Sequence, residues 1–438
     1  MKILFLHPNM PGQYKHLAAA CGADPDNEVR FITHPGRPAI EGVKPITYPE
    51  KIPVQPDIAE PLAKAYLYKL YRCVTHSQQV RQRCLGLRRE GFVPDIIVAH
   101  LGWGSGLFLK DVFPETPLLG YAEYFFTAER SEDSFLTGKP TNLHERERTR
   151  INNAQHLFSL TDADWCITPT RFQRDRHPAL FHAKMSVLHD GIDTDAIAPD
   201  AQAGFTLPDG RRLTAADEVV TYISPVFEPH RGFPQFMAAV ALIQQQRPHA
   251  HIVLVGMERG KGYGRNPSAD QPSWQQKMIS MHELDHQRLH LVGPLPHRRM
   301  LRVMQISTAH VYLTVPFVLS WSVLEAMAAG CLVVGSNTEP VREIIQHEHN
   351  GLLVDFFSAE AIADAVIEAL EQRDDFVELR NCARDTVLKR YSLDTVMPLH
   401  MALIDDLAAG RIPPPTHQTI EAFQLQQTSQ KHKTLKQL

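Results

Sequence analysis

Val311-Tyr-Leu-Thr-Val-Pro-Phe-Val-Leu-Ser-Trp-Ser-Val-Leu-Glu-Ala-Met-Ala-Ala-Gly330, continued by Cys331-Leu-Val-Val-Gly335, carries more structural information than any other part of the chain. It reads as a strand, a short loop, a helix opening near Ser320 to Ser322, and a second strand after the glycine. Serine suits a helix start because its hydroxyl accepts a backbone hydrogen bond, and the free N–H groups there attract anions. Glu325 falls one turn inside. A carboxylate at that place repels phosphate if aimed at it, yet is well set to accept hydrogen bonds from vicinal hydroxyls such as those of a ribose. The alternative is a helix that caps itself, with Glu325 serving only the helix dipole.

The same grammar of short apolar runs, turn residues and amphipathic stretches extends in both directions. Upstream in this half come strands at Val219–Ile223, His251–Val255, His290–Val292 and Ala309–Leu313, with a helix at Phe233–Gln245. The N-terminal half repeats it, with strands at Ile3–Leu6, Val29–Ile32, Asp95–Ala99 and Pro117–Tyr121, and a helix at Tyr14–Ala20. Such alternation predicts βαβ units, parallel sheets and an α/β class. With 438 residues the chain exceeds one hydrophobic core, and two doubly wound, Rossmann-like domains facing each other across a cleft are expected. The expected boundaries are 1–195 and 216–385, with residues 192–215 as a linker, a helix at 386–410 returning to the first domain, and a polar tail at 411–438. Ligands of open parallel sheets bind outside the carboxyl ends of the strands. One domain can therefore hold a donor and the other an acceptor, which suits group transfer.

Composition narrows the choice. Apolar residues form 43% and charged residues 21%, a globular balance, and a net charge of -4 gives no electrostatic case for nucleic acid. The six cysteines are scattered without CxxC or Cys/His spacing, which favours buried reduced thiols over disulfides or zinc. The N-terminal apolar run is a few residues long, too short for a signal peptide, and no run approaches the ~20 residues of a membrane span. A cytoplasmic protein is expected. No Gly-x-Gly-x-x-Gly follows the first strand, which argues against a pyridine-nucleotide oxidoreductase. The pairs Asp162-Ala-Asp164 and Asp193-Thr-Asp195 could suggest a metal, but their places in a connection and in the linker favour structural roles.

Segment 311–330 resembles the signature of glycosyltransferase family four, a Glu, seven residues, then a second Glu within Leu-Glu-Ala-Met-Ala. Glu325 stands at the second Glu, which the resemblance assigns to the nucleotide ribose. Phe317 stands at the first, where the family places a Glu near the donor sugar or the reacting centre. Glu228-Pro-His-Arg231-Gly232 is similar to the segment whose basic residue lies on the donor diphosphate, so Arg231 inherits that role. Pro225 occupies the place of a second basic residue. Leu291-Val-Gly293 matches the stretch whose backbone meets the base, and Pro11-Gly12-Gln13 the glycine loop near diphosphate and acceptor. Leu188-His-Asp-Gly191-Ile-Asp193, Val341-Arg-Glu-Ile-Ile and Asn350-Gly351 follow in family order.

The resemblance implies a GT-B, retaining glycosyltransferase that moves a hexose-type sugar from a nucleotide-diphosphate sugar to a saccharide, lipid-linked or other hydroxyl acceptor. It implies no metal and no cofactor beyond that substrate, and a role in cell-envelope polysaccharide. Arg231 and the N–H groups near Ser320, Trp321 and Ser322 would stabilise the departing diphosphate. On the acceptor side, Glu123 stands where many relatives carry a His. A carboxylate there can accept from a sugar hydroxyl or stabilise an oxocarbenium-like centre, unless it only pairs with Arg130. His100 ends a strand as a second catalytic or structural candidate, and Trp103 can stack on a sugar ring. Residues 64–89 carry Lys64, Lys69, Arg72, Arg81, Arg83, Arg88 and Arg89 among Tyr66, Leu67, Leu70, Tyr71, Val74 and Leu85. Such a helix either lies on an anionic membrane or is a solvated basic face. An epimerase or phosphorylase, and a non-catalytic nucleotide-sugar binder, are the alternatives, the second drawing support from Phe317.

Overall fold

A strand that must be buried on both sides has no polar face, and Lys2–Leu6 (β1) meets that demand: Ile3, Leu4, Phe5 and Leu6 are all wholly buried. The structure, a computed structural model, describes residues 1–51, 61–264 and 267–413, without the side chains of residues 61–65. Around β1 stand Glu28–Thr33 (β2), Val43–Thr47 (β3), Ile96–His100 (β4), Leu118–Tyr121 (β5), Trp165–Thr168 (β6) and Met185–Val187 (β7). They form one parallel sheet in the order β3-β2-β1-β4-β5-β6-β7. Alternate residues of β1 enter opposite cores. Ile3 and Phe5 meet Tyr14, Leu17 and Cys21 of the helix Lys15–Ala23 and its approach, with Val396, Leu399, Leu403 and Leu407 of the helix Leu393–Ala408. Leu4 and Leu6 meet Val80, Cys84 and Leu87 of the helix Pro61–Arg89.

That long helix turns Cys73, His76, Ser77, Val80, Cys84 and Leu87 inward. Arg72, Arg81, Arg83, Arg88 and Arg89 are exposed, while Lys69 packs over the Phe126 ring at 5.1 Å. The inward stripe differs from the apolar set read from the sequence: Leu67 is exposed, and Tyr66, Leu70, Tyr71, Val74 and Leu85 are half-buried. Among the described residues no helix is long and apolar enough to cross a membrane. The six cysteines are unpaired, and burial pushes the thiols of Cys21, Cys84, Cys166 and Cys331 up to about 12.

The second unit repeats the plan. After the antiparallel pair Gly204–Thr206 (β8) and Arg212–Thr214 (β9) come Val219–Val226 (β10), His251–Met257 (β11), Leu289–Gly293 (β12), Ala309–Tyr312 (β13), Leu332–Ser336 (β14) and Leu352–Val354 (β15). The six make a parallel sheet in the order β12-β11-β10-β13-β14-β15. Tyr222 of β10 stacks on Phe236 at 4.8 Å and Phe227 on Phe233 at 4.7 Å, which seats the helix Phe233–Gln246 on the sheet. Both units are thus Rossmann-like, with helices on both faces of an open sheet.

The chain divides as Met1–Ser131, Pro140–Gly191 and the part from Leu393 in one unit, and Glu132–Lys139 with Ile192–Ser392 in the other. Three expectations change. Residues 192–215 are no linker: Ala203, Phe205, Leu207 and Leu213 join Val219, Val253 and Val303 in a buried core. Their polar and proline-rich setting hid a hairpin whose signal is Asp209-Gly210 between short alternating runs. The C-terminal crossing falls after Ser392, not 385, because Val387 and Tyr391 stay in the second core and the Tyr391 carbonyl accepts from Ile192 N at 2.7 Å. The N-terminal unit is also interrupted. Helix Glu132–Thr137 goes to the second unit, where Phe135 lies 5.3 and 5.1 Å from the rings of Phe356 and Phe357. Most of the expected tail, from residue 414, lies outside the described residues.

Phe205→Ala separates a linker from a core. Core membership predicts a loss of about 3–5 kcal/mol in urea unfolding of the second unit, where a linker residue would be silent.

Candidate functional site

In each sheet the strand order reverses once, between β1 and β4 and between β10 and β13. Loops leaving two such strands part to opposite faces and open a crevice at their carboxyl ends. Most of the residues singled out in the sequence lie on those loops.

In the second unit, β10 is bulged near Pro225, leads to the turn Pro229–Arg231, and delivers Arg231 beside the end of β13. Gly232 has φ +66, and a β-carbon there would lie 2.5 Å from Leu313 Cβ, so the tight turn under the arginine requires glycine. The Arg231 side chain is held from several sides. Its Nη1 donates to Thr314 Oγ1 at 2.8 Å, Tyr312 OH at 3.3 Å and the Val318 carbonyl at 3.4 Å. Tyr222 OH donates to the Arg231 carbonyl at 2.7 Å, and the Tyr263 ring covers the guanidinium at 4.8 Å. Arg231 is 5% exposed, and among the described residues no carboxylate pairs with it. A buried cation surrounded only by neutral oxygens is a costly arrangement unless an anion completes it.

The helix Trp321–Ala328 opens beside this cation. Ser320 is its N-cap, and Ser320 Oγ accepts from Ser322 N at 3.3 Å. Tyr312 OH accepts from Ser320 N at 2.8 Å, so two of the N–H groups expected to face an anion have partners of their own. Phe317 is buried and meets the edge of Tyr263 at 5.0 Å, while Trp321 is 39% exposed. The loop bearing Tyr263 is pinned by Glu228, whose carboxylate accepts from Tyr263 N at 3.0 Å and Gly264 N at 2.9 Å. Glu325 is nearly buried, and its Oε1 lies 2.7 Å from His297 Nε2 at the start of the helix His297–Gln305. Gly293, ending β12, has φ +70 and open space where a side chain would be.

The N-terminal unit gathers its own set. Gly12 and Gln13 follow β1, His100 ends β4 with Trp103 just after it, and Glu123 follows β5. Glu123 Oε1 accepts from Gln13 Nε2 at 2.9 Å, and Oε2 lies 3.5 Å from His100 Nε2. The Glu123 backbone carbonyl accepts from Gln173 Nε2 at 2.6 Å. Its side-chain partners are thus Gln13 and His100 rather than Arg130. Burial pushes the Glu123 carboxyl up, but His100 and Gln13 outweigh it and hold it below the usual carboxylate range. His100 Nδ1 accepts from Gly102 N at 3.1 Å, which leaves the ring hydrogen on Nε2, facing Glu123. Trp103 is 48% exposed and lies 6.2 Å from the His100 ring. Asp190, within the segment Leu188-His-Asp-Gly191, interacts with the Tyr121 hydroxyl in this unit.

The Asp-x-Asp pairs have structural partners. Asp164 accepts from Lys110 Nζ and Leu118 N, both at 2.8 Å, and Asp193 accepts from Ala196 N at 3.0 Å. Among the described residues no three His, Cys, Asp or Glu gather in a metal-holding group.

A model described as "Glycosyl transferase family 4 group" matches residues 25–197, and one described as "Glycosyl transferases group 1" matches residues 211–386. The chain belongs to the family 4, group 1 glycosyltransferases. The chain is 28% identical over 234 residues to a GDP-mannose-dependent alpha-(1-6)-phosphatidylinositol monomannoside mannosyltransferase of Mycobacterium tuberculosis. That match covers 52% of this chain and 57% of the relative, so the chain spans little more than half the length of the curated protein it matches. Sucrose-phosphate synthase of Thermosynechococcus elongatus matches 94% of this chain and 100% of its own, with TM-score 0.68 and 16% identity. HepE of Anabaena, solved with UDP, matches 93% of this chain and 100% of its own, with TM-score 0.64 and 15% identity. Likeness at those identities is one of fold, and the fold is GT-B.

Beside the residues singled out in the sequence stand others that the sequence alone did not mark: Tyr263, His297, Tyr312 and Thr314. Tyr312 and Thr314 flank the end of β13, so the strand-end rule could have found them. Tyr263 and His297 come from distant loops and left no local signal.

Tyr312→Phe removes the hydroxyl that accepts from both Arg231 and Ser320 N. Leaving Ser320 N without that acceptor, and Arg231 with one acceptor fewer, is expected to lower stability by about 1–3 kcal/mol in urea unfolding.

Proposed function

We propose that this glycosyltransferase moves a hexose-type sugar from a nucleoside-diphosphate sugar to a hydroxyl acceptor with retention of anomeric configuration. The observation that carries the reading is Arg231, a buried guanidinium whose described partners are all neutral oxygens. As the bond to the sugar breaks, negative charge grows on the departing diphosphate, and a cation already fixed in place stabilises it without reorganisation. Arg231 takes that part of the work without a divalent ion. Glu325 accepts hydrogen bonds from the ribose, with His297 on its other side, and the open backbone at Gly293 admits the base. In the N-terminal unit, Glu123 stays ionised and accepts from a sugar hydroxyl, with the His100 ring 3.5 Å from its carboxylate and Trp103 as the exposed ring beside them.

The mycobacterial relative is GDP-mannose-dependent and acts on a phosphatidylinositol monomannoside. That likeness supports a lipid-linked or saccharide acceptor of the cell envelope. A cytoplasmic enzyme with Arg72, Arg81, Arg83, Arg88 and Arg89 exposed on one helix is suited to rest on an anionic membrane. A second reading, binding without turnover, draws on Phe317, which presents an aromatic ring where the family has a carboxylate.

Calorimetry with UDP, GDP and their nucleosides tests the donor site. Arg231→Ala is expected to abolish most of the advantage of the diphosphate over the bare nucleoside, about 10- to 100-fold, and to slow transfer roughly 10²–10³-fold. Glu325→Ala is expected to weaken nucleoside and diphosphate alike. A diphosphate affinity untouched by Arg231→Ala removes the proposal. Turnover of any bound nucleotide sugar removes the second reading.

Co-sedimentation with vesicles checks the membrane contact. Binding to phosphatidylglycerol vesicles is expected to fall with salt and with Arg81→Glu/Arg88→Glu, and to be missing on neutral lipid.

A further inference from the structure

His7 is buried just past β1, 2% exposed, and plays no part in the reading above. Its Nδ1 accepts from Asn9 N at 2.9 Å. A neutral imidazole that accepts at Nδ1 carries its hydrogen on Nε2. The ring stays neutral because burial, and then the neighbouring His100, hold its pKa well below 6.5. His100 lies 5.0 Å away, ring to ring, at 81°.

The backbone of the next loop rests on this imidazole. A β-carbon at Gly12 would lie 2.6 Å from His7 Cε1, so glycine is what allows residues 12 and 13 to pass so close. Gln13 is therefore brought to His7, and the two side chains interact. His7 Nε2 and Gln13 Oε1 are both buried, and neither has a hydrogen-bond partner among the described residues. At its other end Gln13 donates from Nε2 to Glu123 Oε1 at 2.9 Å.

We propose that His7 is a positioning residue, whose Nε2–H faces the Gln13 carbonyl and thereby turns the Gln13 amide group toward Glu123. The direction of the chain follows from the types of the groups. A histidine that accepted at Nε2 would turn the amide over and present its oxygen to the carboxylate, an arrangement that repels. With the Nε2–H tautomer, the order Asn9 N, His7, Gln13, Glu123 has a donor and an acceptor at every contact. Glu123 then keeps its charge for a sugar hydroxyl. This inference rests on the transferase reading.

The test uses the full chain and the nucleotide sugar selected by calorimetry, with nucleoside diphosphate release followed across pH. His7→Leu is expected to lower kcat/KM about tenfold and to move its acid limb to higher pH, because Glu123 loses an oriented donor. His7→Gln, which carries an amide N–H near the place of Nε2, restores both within about threefold. Combining His7→Leu with Gln13→Leu is expected to cost no more than Gln13→Leu alone, as residues acting through one contact do. An unmoved acid limb, additive losses, or His7→Gln as impaired as His7→Leu overturns the inference. Should the leucine variant not fold, His7→Asn takes its place: its amide N–H lies near Nδ1, and activity equal to that of His7→Gln overturns the inference. Nucleoside diphosphate affinity stays at the wild-type value in the single His7 variants. If the wild-type chain binds none, it is the transferase reading that falls.

Discussion

A guanidinium kept from water with no carboxylate beside it among the described residues is the constraint around which the second unit is organised. Removing such an ion from water costs several kcal/mol even after relaxation, so oriented dipoles must stand in for water. The Thr314 and Tyr312 hydroxyls and the Val318 carbonyl do so, all from the end of β13 and the loop after it. The backbone beneath is fixed by the Tyr222 hydroxyl and by the left-handed Gly232. None of these groups neutralises the charge. A positive centre held rigidly by neutral atoms is what a diphosphate requires of its binding site.

The N-terminal unit meets the opposite problem at the carboxyl ends of its own strands. There a carboxylate, Glu123, is kept charged by the neutral amide of Gln13 and the imidazole of His100. A negative centre of this kind disfavours phosphate and favours hydroxyl groups, which can donate to it. Two units of one architecture thus present charges of opposite sign at their switch points. In the proposed function, the division of labour between leaving group and sugar hydroxyls follows from that difference rather than from the fold, which they share.

Where the chain departs from its family's pattern, aromatic packing occupies the ground. Phe317 stands in place of an acidic residue and packs on the edge of Tyr263, whose face covers Arg231. Glu228 fastens that loop through two backbone N–H groups. Pro225 sits in the bulge of β10 instead of offering a second cation. One arginine therefore works beneath an aromatic cover.

The amino-acid sequence determined the class of the fold and twelve of the elements to within a few residues, and it marked Arg231, Glu325, Glu123 and Gln13 as candidates, because burial periodicity, turn chemistry and motif order are written locally. It left open which partner buries each segment. Residues 192–215 look like a linker until Phe205 and Leu213 are seen to have a core to enter, and helix Glu132–Thr137 gives no local sign that its phenylalanine packs on Phe356. His7 was silent for the same reason. Its tautomer is set by Asn9 N and its effect by Gln13, and that geometry arises only when the loop after β1 folds back over the imidazole. Hydrogen-bond direction and the company a charge keeps are properties of contacts between distant residues, and only the tertiary structure decided them.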